Sequence, residues 1–178
     1  MKNRIRGERQ KIKIFPVYFC LLVFLLSCQS ATMPKGLEVK VARVVSGQTL
    51  EVVSSESKVM SVRLIGIDAP DLQQQPWGQA AKQRLAAMIG TKPVLLEFDV
   101  QEQDSFGRRL AYVWQEGMLL NESLVAEGYV LSVERSPNNK YDQRLDRAQE
   151  WARLMGRLIW NPEQPMRLTP AEFRRQYR

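Results

Sequence analysis

The sequence predicts a small α+β domain. The order of its elements fits a five-stranded Greek-key β-barrel of the OB type with three α-helices, one of several architectures open to such a pattern. Three observations predict it: three β-rich runs with short turns between them, a single helical segment after the third, and two more strands followed by a helical remainder. At 178 residues and 44% hydrophobic composition, the chain can bury one proper core.

The run LEVKVARVV (37–45) sets Leu37, Val39 and Val41 against Glu38 and Lys40, the period-two pattern of a half-buried strand. SGQ breaks the pattern, TLEVV (49–53) resumes it, and SSES turns the chain again before KVMSVRLIGI (58–67), so the three runs read as a meander. Pro76 suits a first helical turn, Ala81, Leu85 and Met88 follow at i, i+4 and i+7, and Gly90 is a stop. PVLLEFDV (93–100) and RLAYVW (109–114) are strands on either side of the turn DSFG. LLNESLVAEG (119–128) reads as a short helix closed by Gly128. The stripe of Tyr141, Leu145, Ala148, Ala152 and Met155 marks a longer helix closed by Gly156, with Asn138 and Asn139 as its caps. The four tryptophans, Trp77, Trp114, Trp151 and Trp160, read as packing residues, and the last dozen residues as a mobile basic tail carrying Arg174, Arg175 and Arg178.

The first 28 residues stand apart. MKNRIRGERQKIK holds six Lys or Arg against one Glu, and the 14 largely apolar residues of IFPVYFCLLVFLLS lead to Cys28. Basic, then apolar, then small is the order of an export signal, and the apolar stretch is shorter than the ~20 residues a spanning helix needs. The ending LLSCQS resembles a bacterial lipobox, which makes Cys28 the expected lipidated residue and places the folded part at the cell envelope, anchored to a membrane. The expected plan is a signal over 1–28, a tether over 29–36, the folded domain over 37–162 and a basic tail over 163–178. Beyond Cys28 there are 20 Lys or Arg and 18 Asp or Glu, so the formal net charge of +7 belongs mostly to the leader. Bulk charge is therefore no argument for a nucleic-acid partner; local charge has to carry that case.

The chain has no histidine, and its two cysteines, Cys20 and Cys28, precede the domain. Histidine-based triads, histidine metal centres and cysteine-ligated zinc are excluded. Catalysis here must draw on Asp, Glu, Arg, Lys, Tyr or water on a hard cation. The stretch VRLIGIDAPD delivers Arg63, Asp68 and Asp71 to one place, where an Asp-containing turn alone would need no arginine. In DSFGRRL, Arg108 follows a glycine that lets the backbone approach closely, and its guanidinium is suited to fork onto a phosphate. SGQT, by itself, says only turn.

In order and spacing, VVSGQTLEV, VRLIGIDAPD, DSFGRRLAYVW, NESLVAEG, SPNN and LIW resemble the thermonuclease, or staphylococcal nuclease, family over about 37–160. The resemblance implies an OB barrel with three helices and a calcium-dependent nuclease cutting DNA and RNA phosphodiesters. Carried over by position, Arg63 and Arg108 match the two phosphate-gripping arginines, groups that stabilise charge building on equatorial oxygens. Asp68 matches a carboxylate ligand of the cation, Ala69 a backbone-carbonyl ligand, and Asp71 the glutamate proposed as general base. Carboxylate, carbonyl and water oxygens suit Ca2+, with other divalent cations as alternatives. Two departures touch chemistry: Gln48 replaces a ligand aspartate, and Asp71 is one methylene shorter than glutamate. Phe106 takes a tyrosine's place, keeping a ring for nucleotide stacking, and Glu134 and Arg135 stand where nucleotide-flanking tyrosines are expected.

Two functions follow as expectations. The first is a monomeric, lipid-anchored, metal-dependent endonuclease acting on DNA or RNA. The alternative is an OB domain whose hydrolytic site has decayed but which still binds nucleic acid or a protein.

Overall fold

The computed structural model describes residues 34–54 and 58–177. The signal segment over 1–28, Cys28 and most of the tether expected over 29–36 lie outside the described residues.

Among the described residues, eight strands and four α-helices follow in the order β1 (Leu37–Ser46), β2 (Thr49–Val53), β3 (Val59–Leu64), β4 (Ile67–Asp68), α1 (Trp77–Ile89), β5 (Val94–Glu97), β6 (Arg109–Gln115), β7 (Met118–Leu119), α2 (Leu120–Ala126), β8 (Leu131–Ser132), α3 (Asp142–Leu154) and α4 (Pro170–Tyr177), with a 3-10 turn at Leu158–Trp160. β1 pairs antiparallel with β2 and with β5, β2 with β3, and β5 with β6. A parallel pairing of β3 with β6 closes the ring, giving the expected five-stranded mixed barrel. Two register shifts in β1, at Val41/Arg43 and Val44/Ser46, bend that strand as closure requires.

Closure positions the site. Arg63 lies opposite Leu110 and Val62 opposite Arg109 across the parallel pair, so the end of β3 meets the loop that delivers Arg108. Inside the barrel, Leu50, Val52, Val62, Leu64, Leu96 and Val113 are fully or almost fully buried, and Ala81, Leu85 and Ile89 seal one side from α1. Asn121 binds the two halves: its side-chain carbonyl accepts from Val113 N–H at 2.9 Å and its amide donates to the Ile65 carbonyl at 2.8 Å. Below the barrel, the buried Glu97 carboxylate accepts from Trp114 Nε1 (2.7 Å), Tyr141 OH (3.0 Å) and Lys140 Nζ.

Several expectations change. Helix α1 buries Ile89 in line with Ala81 and Leu85, and Met88 is only half-buried. Leu37, at the open start of β1, Met155, just past α3, and Trp151 are exposed, so the apolar stripes are narrower than their sequence suggests. Asn138 caps no helix: it clasps the backbone of Gln101, accepting from its N–H at 2.7 Å and donating to its carbonyl at 2.8 Å. The residue before α3 is Tyr141. The expected mobile tail carries α4, which has its own capping box. Thr169 N–H donates to Glu172 Oε2 at 2.8 Å, and Glu172 N–H donates to Thr169 Oγ1 at 3.2 Å. Gln74 Nε2 donates to the Leu168 carbonyl at 2.7 Å, and Pro170 is buried, so this segment is fastened to the domain.

Candidate active site

Separate elements at the rim deliver the functional side chains. β3 lies between β2 and β6 and is covered on both faces, so Val62, Arg63 and Leu64 are all buried despite strand alternation. Arg63 satisfies its guanidinium locally: Nη1 donates to the Leu64 carbonyl and Nη2 to the Ile67 carbonyl at 2.7 Å, with Asp68 Oδ1 at 3.8 Å. The chain turns at Ile65–Gly66, before Ile67, and that turn swings Asp68 back toward Arg63. Burial, followed by the neighbouring charge of Arg135, pushes the Arg63 guanidinium down to about 9; Asp68 opposes this, while Arg108 and Arg174 add to it. The group is still a cation at neutral pH, surrounded by like charge and therefore suited to receiving an anion.

Asp71 follows Pro70 and is packed beneath α1. An added Cβ at Gly78 would stand 1.9 Å from the Asp71 carbonyl oxygen, so only glycine lets the helix come this close. The Asp71 carboxylate is itself engaged, accepting from Gln73 N–H at 3.0 Å, and Gln74, 4% exposed, folds its side-chain oxygen to 3.4 Å from Asp71 N.

In the loop before β6, Asp104 organises Arg108. Its Oδ1 accepts from the N–H groups of Phe106 and Arg108, both at 3.0 Å, and its Oδ2 from Arg108 Nε at 2.7 Å. Burial raises the Asp104 pKa, but the Arg108 side chain and these backbone N–H groups outweigh it and leave the carboxyl below its ordinary value. Gly107 serves conformation more than close approach. Its φ is +77°, and the nearest atom to an added Cβ would be Gln103 Nε2 at 3.6 Å. Phe106 stands 82% exposed, with the Arg108 guanidinium 5.4 Å from its ring centre.

These loops share one hollow of about 500 Å³, lined by Gln48, Arg63, Asp68, Ala69, Asp71, Phe106, Arg108, Arg135 and Arg174 among others. A smaller one of about 260 Å³ joins Arg63, Asp104, Arg108 and Arg135. The structure thus brings Arg63, Asp68, Asp71 and Arg108 together, with Phe106 at the edge. Three contributors escape the sequence reading. Asp104 holds Arg108, Arg135 adds a third guanidinium, and Arg174 reaches in from α4, its Nη2 at 3.0 and 2.7 Å from the two oxygens of Asp68. Asp104 and Arg135 lie inside motifs already singled out. The clue to Arg174 was TPAE at 169–172, a capping-box pattern with proline at the first helical position.

The donor set can be tested against the calcium that the resemblance implies. Asp68 is its carboxylate, and both oxygens accept from Arg174. Gln48 directs its only side-chain oxygen at Ala69 N–H, 2.5 Å away, so the amide expected as a weakened ligand is committed to the backbone. Among the described residues, no three His, Cys, Asp or Glu side chains are grouped to hold a metal. One carboxylate already balanced by guanidinium groups, one committed amide and the single backbone carbonyl of Ala69 do not fit a divalent ion that takes 6–8 oxygen ligands.

The pattern shared by staphylococcal nuclease homologues matches residues 61–162, a span that holds Arg63, Asp68, Asp71 and Arg108 and ends before Arg174. The thermonuclease of Staphylococcus hyicus is 36% identical over 127 residues, covering 68% of this chain and 75% of that protein. The thermonuclease of Staphylococcus intermedius is 33% identical over 137 residues, covering 74% and 81%. The endonuclease YncB of Bacillus subtilis strain 168 is 33% identical over 126 residues, covering 66% and 59%.

Proposed function

The chain belongs to the staphylococcal nuclease family and is homologous to nuclease enzymes, and from that premise we propose that it is an endonuclease hydrolysing DNA or RNA phosphodiester bonds. One observation carries the reading: Arg63, from the end of β3, and Arg108, from the loop before β6, line the same hollow as Asp68 and Asp71. Two guanidinium groups offer forked donors to the non-bridging oxygens of a phosphodiester, where charge accumulates during attack. A water oxygen bonds to phosphorus as the bond to the leaving sugar oxygen breaks. Asp71 accepts the water's proton, and the leaving oxygen takes one from solvent. Phe106 offers a face for a nucleotide base.

The export signal and a lipid on Cys28 complete the proposal, placing a monomeric nuclease at the cell envelope. Calcium dependence is the family's usual habit, but the donor set of this chain does not fit the ion. A second reading, a binding module without turnover, is favoured by the commitment of Asp68 and Gln48 to protein partners. Incubating the full chain with single-stranded DNA and with RNA, in calcium, magnesium, manganese or EDTA, separates the two. Cleavage that Arg108→Ala abolishes supports the nuclease; binding without cleavage in every condition supports the module.

A further inference from the structure

We infer that Arg174 takes the place of a divalent cation at this site: its guanidinium, seated on Asp68, supplies the positive charge for a phosphate oxygen, so that substrate binding and cleavage proceed without calcium. The inference deepens the nuclease reading and rests on it.

The first support is charge balance. The Asp68 side chain is 7% exposed and offers one negative charge, which a single guanidinium matches and a divalent ion would exceed. The position expected to supply a second charge is Gln48, a neutral amide spent on Ala69 N–H. Arg63 Nη2 also approaches Asp68 to 3.8 Å, which adds repulsion against any further cation there.

The second support is construction. Arg174 sits on a capped helix, and the buried Gln74 couples that helix to the base loop, donating to Leu168 while its oxygen turns to Asp71 N. The Arg174 side chain is 30% exposed and lines the same hollow as Arg63 and Arg108, and Asp68 engages only its Nη2. The placement is also unlike a removable plug. Evicting Arg174 would expose Asp68 beside a neutral Gln48, and the described residues hold no acidic cluster for the metal to enter. Three guanidinium groups, of Arg63, Arg108 and Arg174, then surround one phosphate, with Arg135 at the rim.

The test uses the full chain and the variants Arg174→Ala and Arg174→Lys, assayed on single-stranded DNA in EDTA and in calcium. Phosphate binding is followed in parallel by calorimetry with inorganic phosphate in EDTA. Cleavage should survive EDTA in the unaltered chain and fall by about a hundredfold in Arg174→Ala, the loss typical of one charge-stabilising donor. Added guanidinium ion should partly restore that variant, a rescue that a merely structural role would not give. Arg174→Lys should keep the fold and part of the activity, because it retains charge without the fork. Cleavage that vanishes in EDTA and returns with calcium, with Arg174→Ala as active as the unaltered chain or more so, would overturn the inference and leave the nuclease reading intact. If no condition gives cleavage, the nuclease reading fails. The cation role is then upheld by phosphate binding in EDTA that Arg174→Ala removes, and overturned if Arg174→Ala binds phosphate equally well.

Discussion

Replacing Asp68 with asparagine deletes one negative charge from a place where several guanidinium groups are held against it. Arg63 is the most affected: it is 5% exposed, and apart from Asp68 its described partners are the carbonyls of Leu64 and Ile67. Breaking a buried ion pair by removing one partner costs about 3–5 kcal/mol, because the remaining charge stays buried without its counter-ion. The Arg174 contact, with that side chain 30% exposed, adds no more than about 1 kcal/mol. The two carbonyl acceptors survive the change and favour the lower part of the range. An expected loss of about 3 kcal/mol corresponds to a melting point about 10 °C lower for a domain of this size.

The sign of the pH dependence follows from Arg63. Its folded pKa lies below its ordinary value, so its burial costs stability in full below about pH 9, and the cost is relieved as pH rises from there. Neutral pH therefore shows the whole effect. The same deletion leaves the hollow more positive, so inorganic phosphate should raise the melting point of Asp68→Asn more than that of the unaltered chain. Thermal unfolding by circular dichroism, with and without phosphate, measures both quantities. A melting point unchanged by the substitution, or an equal phosphate effect in both proteins, would show that Asp68 is not the counter-ion of Arg63.

Other expected outcomes concern the rim. Phe106→Ala should weaken binding of a single-stranded oligonucleotide by about 1–3 kcal/mol in fluorescence anisotropy, the worth of one stacked base, and leave the melting point alone because the ring is 82% exposed. Asp104→Asn should flatten the acid limb of stability. The Asp104 pKa is depressed in the fold, so its contribution is present above the ordinary carboxylate pKa of about 3.9 and is lost as pH falls through the lower folded value; melting points from pH 2 to 7 test this. Gln48→Asp should tighten calcium binding, most clearly beside Arg174→Ala. A unit charge about 4 Å from an ion is worth up to about 4 kcal/mol at an effective dielectric near 20, before solvent reduces it. Calorimetry showing no gain in either background would place residue 48 away from any cation position.

The barrel was legible because its strands alternate locally and its helices end at glycines. Gly90, Gly128 and Gly156 all adopt positive φ where each helix stops. What joins Arg63 to Arg108 is less local. The parallel pairing of β3 with β6 connects segments some 45 residues apart, and no strand pattern states it. Both arginines stand out in their motifs, the resemblance pairs their roles, and the topology brings them together. Gln48 shows a different gap: its residue type allows a ligand oxygen, but only the geometry reveals that Ala69 N–H has taken it. For the last helix, composition and local signal point in opposite directions. Three arginines in the final residues suggest a solvated tail, whereas the TPAE sequence carries its own start signal and a docking residue in Gln74.

Two glutamines give the site its logic. Gln48 pins the segment after Asp68 from the β1–β2 turn, and Gln74 pins Asp71 on one side and the approach to α4 on the other. Both do so with amide groups, so the acidic loop is fixed without further negative charge in a space meant for a phosphate. An aspartate at residue 48 would set a second carboxylate beside Asp68, a useful arrangement for balancing a divalent ion. Beside a single guanidinium it would leave surplus negative charge that repels the substrate. A neutral side chain at residue 48 and a cationic one at residue 174 are thus two parts of one electrostatic arrangement, and with calcium present exchanging either alone should harm phosphate binding more than exchanging both.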